Sequence, residues 1–161
     1  MKAEHKFFIS RADARDITGI LECLQEAFEP YRQRYTPAGF LDTVLTPETL
    51  QQRLLTMSIF VARDSGNAIV GTIGCNPVIA GEGHIRGMAV KAAWQGCGVA
   101  QQLLKAAESE LETEGCRRVT LDTTAPLERA VSFYRKHGYR HTGKVTDFFG
   151  MLLYEYARDL I

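Results

Sequence analysis

At 161 residues the chain has the length of one domain, able to bury about 70% of its unfolded surface. Hydrophobic residues make up 45% of it and charged residues 24%, and 19 Lys and Arg balance 19 Asp and Glu, so no overall field points to nucleic acid or an anionic membrane. No apolar run approaches a membrane span, and Met1-Lys2-Ala3-Glu4-His5-Lys6 leads into only a short apolar patch, so neither a membrane segment nor a signal peptide is expected.

The first predicted element is a short strand, Phe7-Phe8-Ile9. The acidic stretch Ala12–Asp16 suits a helix start, and Ile17, Ile20, Leu21, Leu24 and Phe28 follow at helical spacing, ending before Pro30. Glu29 to Phe40 is rich in Pro, Gly, aromatics and Arg and reads as a long irregular loop. Its Tyr31, Arg32, Arg34 and Tyr35 are candidates to line a binding site, the alternative being a plain connection. A second helix opens at Thr46-Pro47-Glu48, with Thr as N-cap and Pro in the first turn, and runs to about Met57. Strands are expected at 59–63, 68–75 and 84–90, the first two joined by the turn Asp64-Ser65-Gly66-Asn67. The next two are joined through Pro77 and Gly81-Glu82-Gly83.

Beyond Val90 comes the glycine-spaced turn Gln95-Gly96-Cys97-Gly98 and then a long amphipathic run. Val99, Leu103, Ala107 and Leu111 recur at every fourth position, which predicts a helix burying one face and stopping at Gly115. A strand at 119–122, a helix at 127–137 stopped by Gly138, and strands at 143–148 and 151–156 complete the chain. The predicted order is one strand, two helices, three strands, helix, strand, helix and two strands. A mixed sheet with helices on both faces satisfies it.

The glycine turn is where chemistry is expected. The first N–H groups of a helix lack internal partners and sit at the positive end of its dipole, and glycines without side chains let an anion approach them. The stretch therefore reads as an anion cradle, most simply for a pyrophosphate, the alternative being a structural strand-to-helix turn. It is not a Walker loop, because no Lys-Ser or Lys-Thr pair follows Gly98. It is not the dinucleotide fingerprint either, because Gln101 stands where a third glycine is needed.

What matches is Q/R-x-x-G-x-G/A, as Gln95-Gly96-Cys97-Gly98-Val99-Ala100 behind a strand ending Met88-Ala89-Val90. Here the chain resembles the GNAT superfamily of acetyl-CoA-dependent N-acetyltransferases, and the predicted element order is also that of the family. The resemblance implies a single GNAT-like α/β domain over 1–161, with a mixed, mostly antiparallel sheet and helices on both faces. It implies acetyl-CoA as acyl donor, with coenzyme A held by Met88, Ala89, Val90, Gln95, Gly96, Cys97, Gly98, Val99, Ala100 and Gln101. A strand bulge within Met88-Ala89-Val90 is expected to aim a backbone N–H at the thioester carbonyl.

A second stretch, Arg129-Ala130-Val131-Ser132-Phe133-Tyr134-Arg135-Lys136-His137-Gly138-Tyr139, is similar to the family signature A-x-x-F-Y-x-x-x-G-F/Y. By that resemblance Tyr134 is the general acid that eases departure of the CoA thiolate when an amine attacks the thioester. Read without the resemblance, Phe133 and Tyr134 are equally the apolar side of a helix. One position departs from the pattern: Leu127 stands where the family often places an Asn contacting the pantetheine arm, a role that Thr123, Thr124 or backbone groups then inherit. Glu82, His84 or a water relay are the candidates for the base.

Cys97, beside a helix start, suggests a rival in which a thiolate accepts the acetyl group, but no His or Asp neighbours it in sequence. Cys23, Cys75, Cys97 and Cys116 are scattered, with no C-x-x-C; this predicts no metal site and no disulfide framework, and fits a reducing cytoplasm. The expected partner is a small-molecule amine, with no nucleic acid and no membrane, and a homodimer remains open. Two alternatives stand beside this reading: acetylation of a protein or peptide amine, and a non-catalytic acyl-CoA-binding module.

Overall fold

The computed structural model describes residues 5–125 and 127–160. Strand β1 (Phe7–Arg11) leads through a 3₁₀ turn at Ala14–Asp16, capped by Asp13, into helix α1 (Ile17–Phe28). A further 3₁₀ stretch, Glu29–Arg34, precedes helices α2 (Pro37–Val44) and α3 (Pro47–Thr56). Strands β2 (Ser58–Asp64), β3 (Ile69–Ile79) and β4 (Glu82–Val90) follow, then helix α4 (Val99–Thr113) and strand β5 (Arg118–Thr124). Helix α5 (Glu128–Lys136) and strands β6 (Arg140–Phe148) and β7 (Met151–Asp159) end the fold.

The expected order holds with one addition. Helix α2 starts inside the stretch expected to be irregular, Glu29 to Phe40, and runs on past it to Val44. Its start repeats the signature that identified α3: Thr36 is the N-cap, its side chain accepts from the Gly39 N–H at 3.2 Å, and Pro37 opens the first turn. Only eight residues long and carrying a glycine, it owes its stability to burying Phe40 and Val44. Strands β3 and β4 also run longer than expected. They pair past Pro77, opposite Gly83, and leave a turn of two residues.

The strands form one seven-stranded sheet in the order β1-β2-β3-β4-β5-β7-β6. Every neighbouring pair is antiparallel except β4 and β5. Because side chains alternate across a strand, Val61 joins the core beneath α1, α2 and α3, while its neighbour Ala62 joins the one beneath α4. The Val99, Leu103, Ala107 and Leu111 stripe of α4 is fully buried on that second face. Helices therefore cover both faces, and the mixed, mostly antiparallel architecture is as expected.

Two irregularities of β4 open the middle of the sheet. Its parallel pairing with β5 runs only from Glu82 opposite Arg118 to Ile85 opposite Leu121. Past that point, Arg86–Val90 and Asp122–Thr124 diverge, and the sheet forks. In the same segment Gly74 faces Arg86 and Thr72 faces Ala89, which leaves Gly87 and Met88 opposite the single residue Ile73. Gly87 has φ +68°, so this is a bulge with a left-handed glycine, and it bends the strand away from the sheet plane.

Candidate active site

The turn into α4 is open. Gly98 is the N-cap with φ +87° and Gly96 has φ +77°, and a Cβ built at either would meet nothing within 4 Å. The first intrahelical bond of α4 runs from the Gln102 N–H to the Gly98 carbonyl at 3.1 Å, and no side chain caps the helix. The N–H groups of Val99, Ala100 and Gln101 are thus the unclaimed donors of the first turn. The turn itself is braced from within: the Gln95 amide donates to the Val90 carbonyl at 3.3 Å and its oxygen accepts from Arg129 at 2.7 Å. Arg129, on α5, adds a positive charge to this mouth that sequence reading had not singled out.

From this turn a cavity of about 360 Å³ runs along the fork. Met88, Ala89 and Val90 of β4 form one wall, Gln95, Gly96, Gly98, Ala100 and Gln101 the turn end, and Leu127, Ala130, Phe133 and Tyr134 of α5 the facing wall. Two of the expected cofactor residues stand apart. Val99 turns its side chain into the core, leaving only its backbone at the turn. Cys97 does not line the cavity, and its Sγ sits 3.7 Å from the Gln95 carbonyl oxygen. Trp94 packs edge-on against His5 and Phe7 under the turn.

A second cavity, about 250 Å³, lies on the other side of the fork. His84, Arg86 and Gly87 of β4 and Asp122, Thr123 and Thr124 of β5 line it, with Asp42 and Thr43 of α2 and Arg53 of α3. Phe148 and Leu153, near the β6–β7 turn, close it; that turn is tied down where Thr36 donates to the Phe149 carbonyl at 2.8 Å. Five residues border both cavities: Phe28, Met88, Leu127, Ala130 and Tyr134.

Tyr134 therefore stands at their junction. Its ring packs edge-on against Phe133 and Tyr139, with centroids 5.5 and 5.8 Å away. No hydrogen bond to its hydroxyl is formed among the described residues. Burial pushes the phenol well above the usual tyrosine range, so it carries its proton at neutral pH. Leu127 also borders the junction, where it presents an apolar side chain in place of an amide. Thr123 and Thr124 line the second cavity and not the first, and Thr124 is engaged by the Tyr35 hydroxyl at 2.8 Å.

The two side chains considered as bases separate cleanly. Glu82 is paired with Arg118 at 3.3 Å and lines neither cavity. His84 faces the second cavity, with Nδ1 2.7 Å from the Thr120 hydroxyl and Nε2 3.3 Å from Asp122 Oδ2. The aromatic and arginine group at 31–35 does not line the second cavity. Tyr31 borders the first, Arg32 pairs with Glu29 at 2.9 Å and lies over the Phe40 ring, Arg34 reaches neither, and Tyr35 is buried. The charged residues that do line it, Asp42, Arg53, Arg86 and Asp122, come from four separate elements.

Comparison with known proteins agrees with this geometry. Among curated protein sequences none matches significantly. Among solved structures, a GNAT-family acetyltransferase from Staphylococcus aureus Mu50 superposes with a TM-score of 0.79 at 17% identity, covering 97% of this chain and 100% of that one. The PaiA N-acetyltransferase from Thermoplasma acidophilum, solved with coenzyme A, gives 0.77 at 17% identity over 93% and 98%. The ribosomal-protein-S18-alanine N-acetyltransferase from Escherichia coli gives 0.75 at 17% over 96% and 94%. At such identity these show a shared fold. The sequence profile of the acetyltransferase (GNAT) family matches residues 19–139, most of the chain, and the protein belongs to that family.

Proposed function

We propose that this protein is an N-acetyltransferase that moves the acetyl group of acetyl-CoA, the acyl donor of its family, to a small primary amine by direct attack. The observation that carries this reading is the place of Tyr134, whose side chain borders both cavities and whose protonated hydroxyl has no hydrogen-bond partner among the described residues. The first cavity fits coenzyme A: an open glycine turn and unclaimed N–H groups suit a pyrophosphate, and Arg129 adds positive charge. The bulge at Gly87 and Met88 borders the junction, where a backbone N–H would stabilise the thioester oxygen as charge develops on it. The second cavity, bounded by α2, α3 and the β6–β7 turn, suits a small acceptor better than an extended peptide.

The amine must lose a proton, and His84 with Asp122 is the pair that lines the acceptor side. Asp122 Oδ2, 3.3 Å from Nε2, orients the ring. A proton leaving the amine through water is taken up by this pair and passed to solvent. His84→Ala should lower kcat/KM for the acceptor by about 10²-fold. Glu82→Gln should leave it near the wild-type value. The reading as a whole is tested by thiol release from acetyl-CoA across a panel of amines. CoA binding without release for any amine would favour a non-catalytic binding module.

Among the described residues no helix is long and apolar enough to cross a membrane. All four cysteines are free thiols, which supports placing the enzyme in a reducing compartment.

A further inference from the structure

The charges lining the second cavity do not cancel locally. Asp42 approaches Arg86, at 3.9 Å, and among the described residues Arg53 is in no ion pair. Arg53 is nonetheless half-buried, reaching from α3 to the bulge: its Nη1 lies 3.4 Å from where a Cβ would stand at Gly87. Burial, with Arg86 nearby, pushes its guanidinium down to about 10, so it stays charged at neutral pH and has one carboxylate to share between two cations. A half-buried cation left with only a shared carboxylate is costly, and a ligand anion offsets that cost.

We propose that Arg53, assisted by Arg86, is the specificity-determining residue of the acceptor site, and that the acceptor is a small amine carrying a carboxylate close to its nitrogen, as in an α-amino acid. The inference rests on the second cavity being the acceptor site. Three placements support it. A planar guanidinium grips a carboxylate through two parallel hydrogen bonds. Arg53 lies against the same bulge that borders the junction, so the anion it holds is near the attacking nitrogen and not at the end of a long chain. Asp122 faces the same cavity and supplies the opposite charge for the ammonium group before it is deprotonated.

The test compares α-amino acids with their own carboxamides as acceptors in the thiol-release assay, since each pair shares its amine and differs in the anion. The wild type should prefer acid over amide by about 10²-fold in kcat/KM, with the difference carried mainly by KM. Arg53→Gln should bring that ratio close to one while calorimetric affinity for CoA and the melting temperature stay near wild type. Arg53→Lys should restore part of it, a point charge without the fork. Amides turned over as well as acids, an unchanged ratio in Arg53→Gln, or CoA binding with no amino acid acetylated would each overturn the proposal. Failure to bind CoA at all would instead remove the acetyltransferase reading on which it stands.

Discussion

Gly98→Val should abolish most CoA binding, raising Kd by about 10²-fold or more, while the protein still folds. Gly98 holds φ +87° at the N-cap of α4, a backbone region that costs a β-branched residue of order 1–3 kcal/mol. Gly98 lines the first cavity and nothing lies within 4 Å of its missing Cβ, so the added side chain leaves the core packing alone. If the turn holds the pyrophosphate as proposed, that side chain crowds the approach to the N–H groups of Val99, Ala100 and Gln101. Relaxing the strain by rotating the turn aims those donors elsewhere, so both routes weaken the cradle. Isothermal calorimetry with CoA and a thermal melt decide the matter. Normal affinity in the variant would show that the turn does not hold the pyrophosphate.

Tyr134→Phe should lower turnover by about 10²-fold with little change in CoA affinity or stability. Removing one oxygen leaves the ring contacts to Phe133 and Tyr139 in place, and no hydrogen bond to a described residue is lost. The size of the effect follows from the phenol's environment. Its pKa is raised by burial, whereas a thiol titrates near about 8.5, so complete proton transfer to the departing sulfur is uphill. On the proposed mechanism the hydroxyl would then contribute chiefly a hydrogen bond that steadies the thiolate, with the final proton coming from solvent. This places the loss at the low end of general-acid effects. Cys97→Ala should cost little, since its thiol lies outside the first cavity, and mass spectrometry should find no acetyl-enzyme after mixing with acetyl-CoA alone. A trapped acetyl-cysteine with an unaffected Tyr134→Phe would reverse the mechanism.

Elements whose signals are local were legible in the sequence. Helix α4 was marked by its four-residue stripe and glycine stop, and α3 by Thr46-Pro47. The same Thr-Pro signature at Thr36-Pro37 was hidden by Gly39 and by surrounding arginines and aromatics, although Gly39 is there because the β6–β7 turn presses close. A Cβ on it would lie 3.2 Å from Met151 and 3.5 Å from Phe148. The bulge had a visible sign in Gly87, a lone glycine inside a strand. The first cavity was readable because its turn and β4 wall are contiguous in sequence. The second was not: Asp42, Arg53, Arg86 and Asp122 are brought together only by packing, and no periodicity links them. The resemblance singled out Tyr134; that its side chain borders two cavities is visible only in the fold.

The fork in the sheet has a mechanical consequence. With four residue pairs joining β4 to β5, the molecule is two half-sheets sharing a short seam, one of β1 to β4 and one of β5, β7 and β6. Past the seam, the edges that face each other carry backbone donors and acceptors with no strand between them. On the proposed function, the pantetheine arm of coenzyme A, which bears its own amides, would occupy that gap as a surrogate strand. The cosubstrate would then act as a splint as well as a reagent. The second cavity, whose walls belong to both halves, would be held in one shape by the splint, and binding of the acyl donor before the amine is the order expected on that proposal.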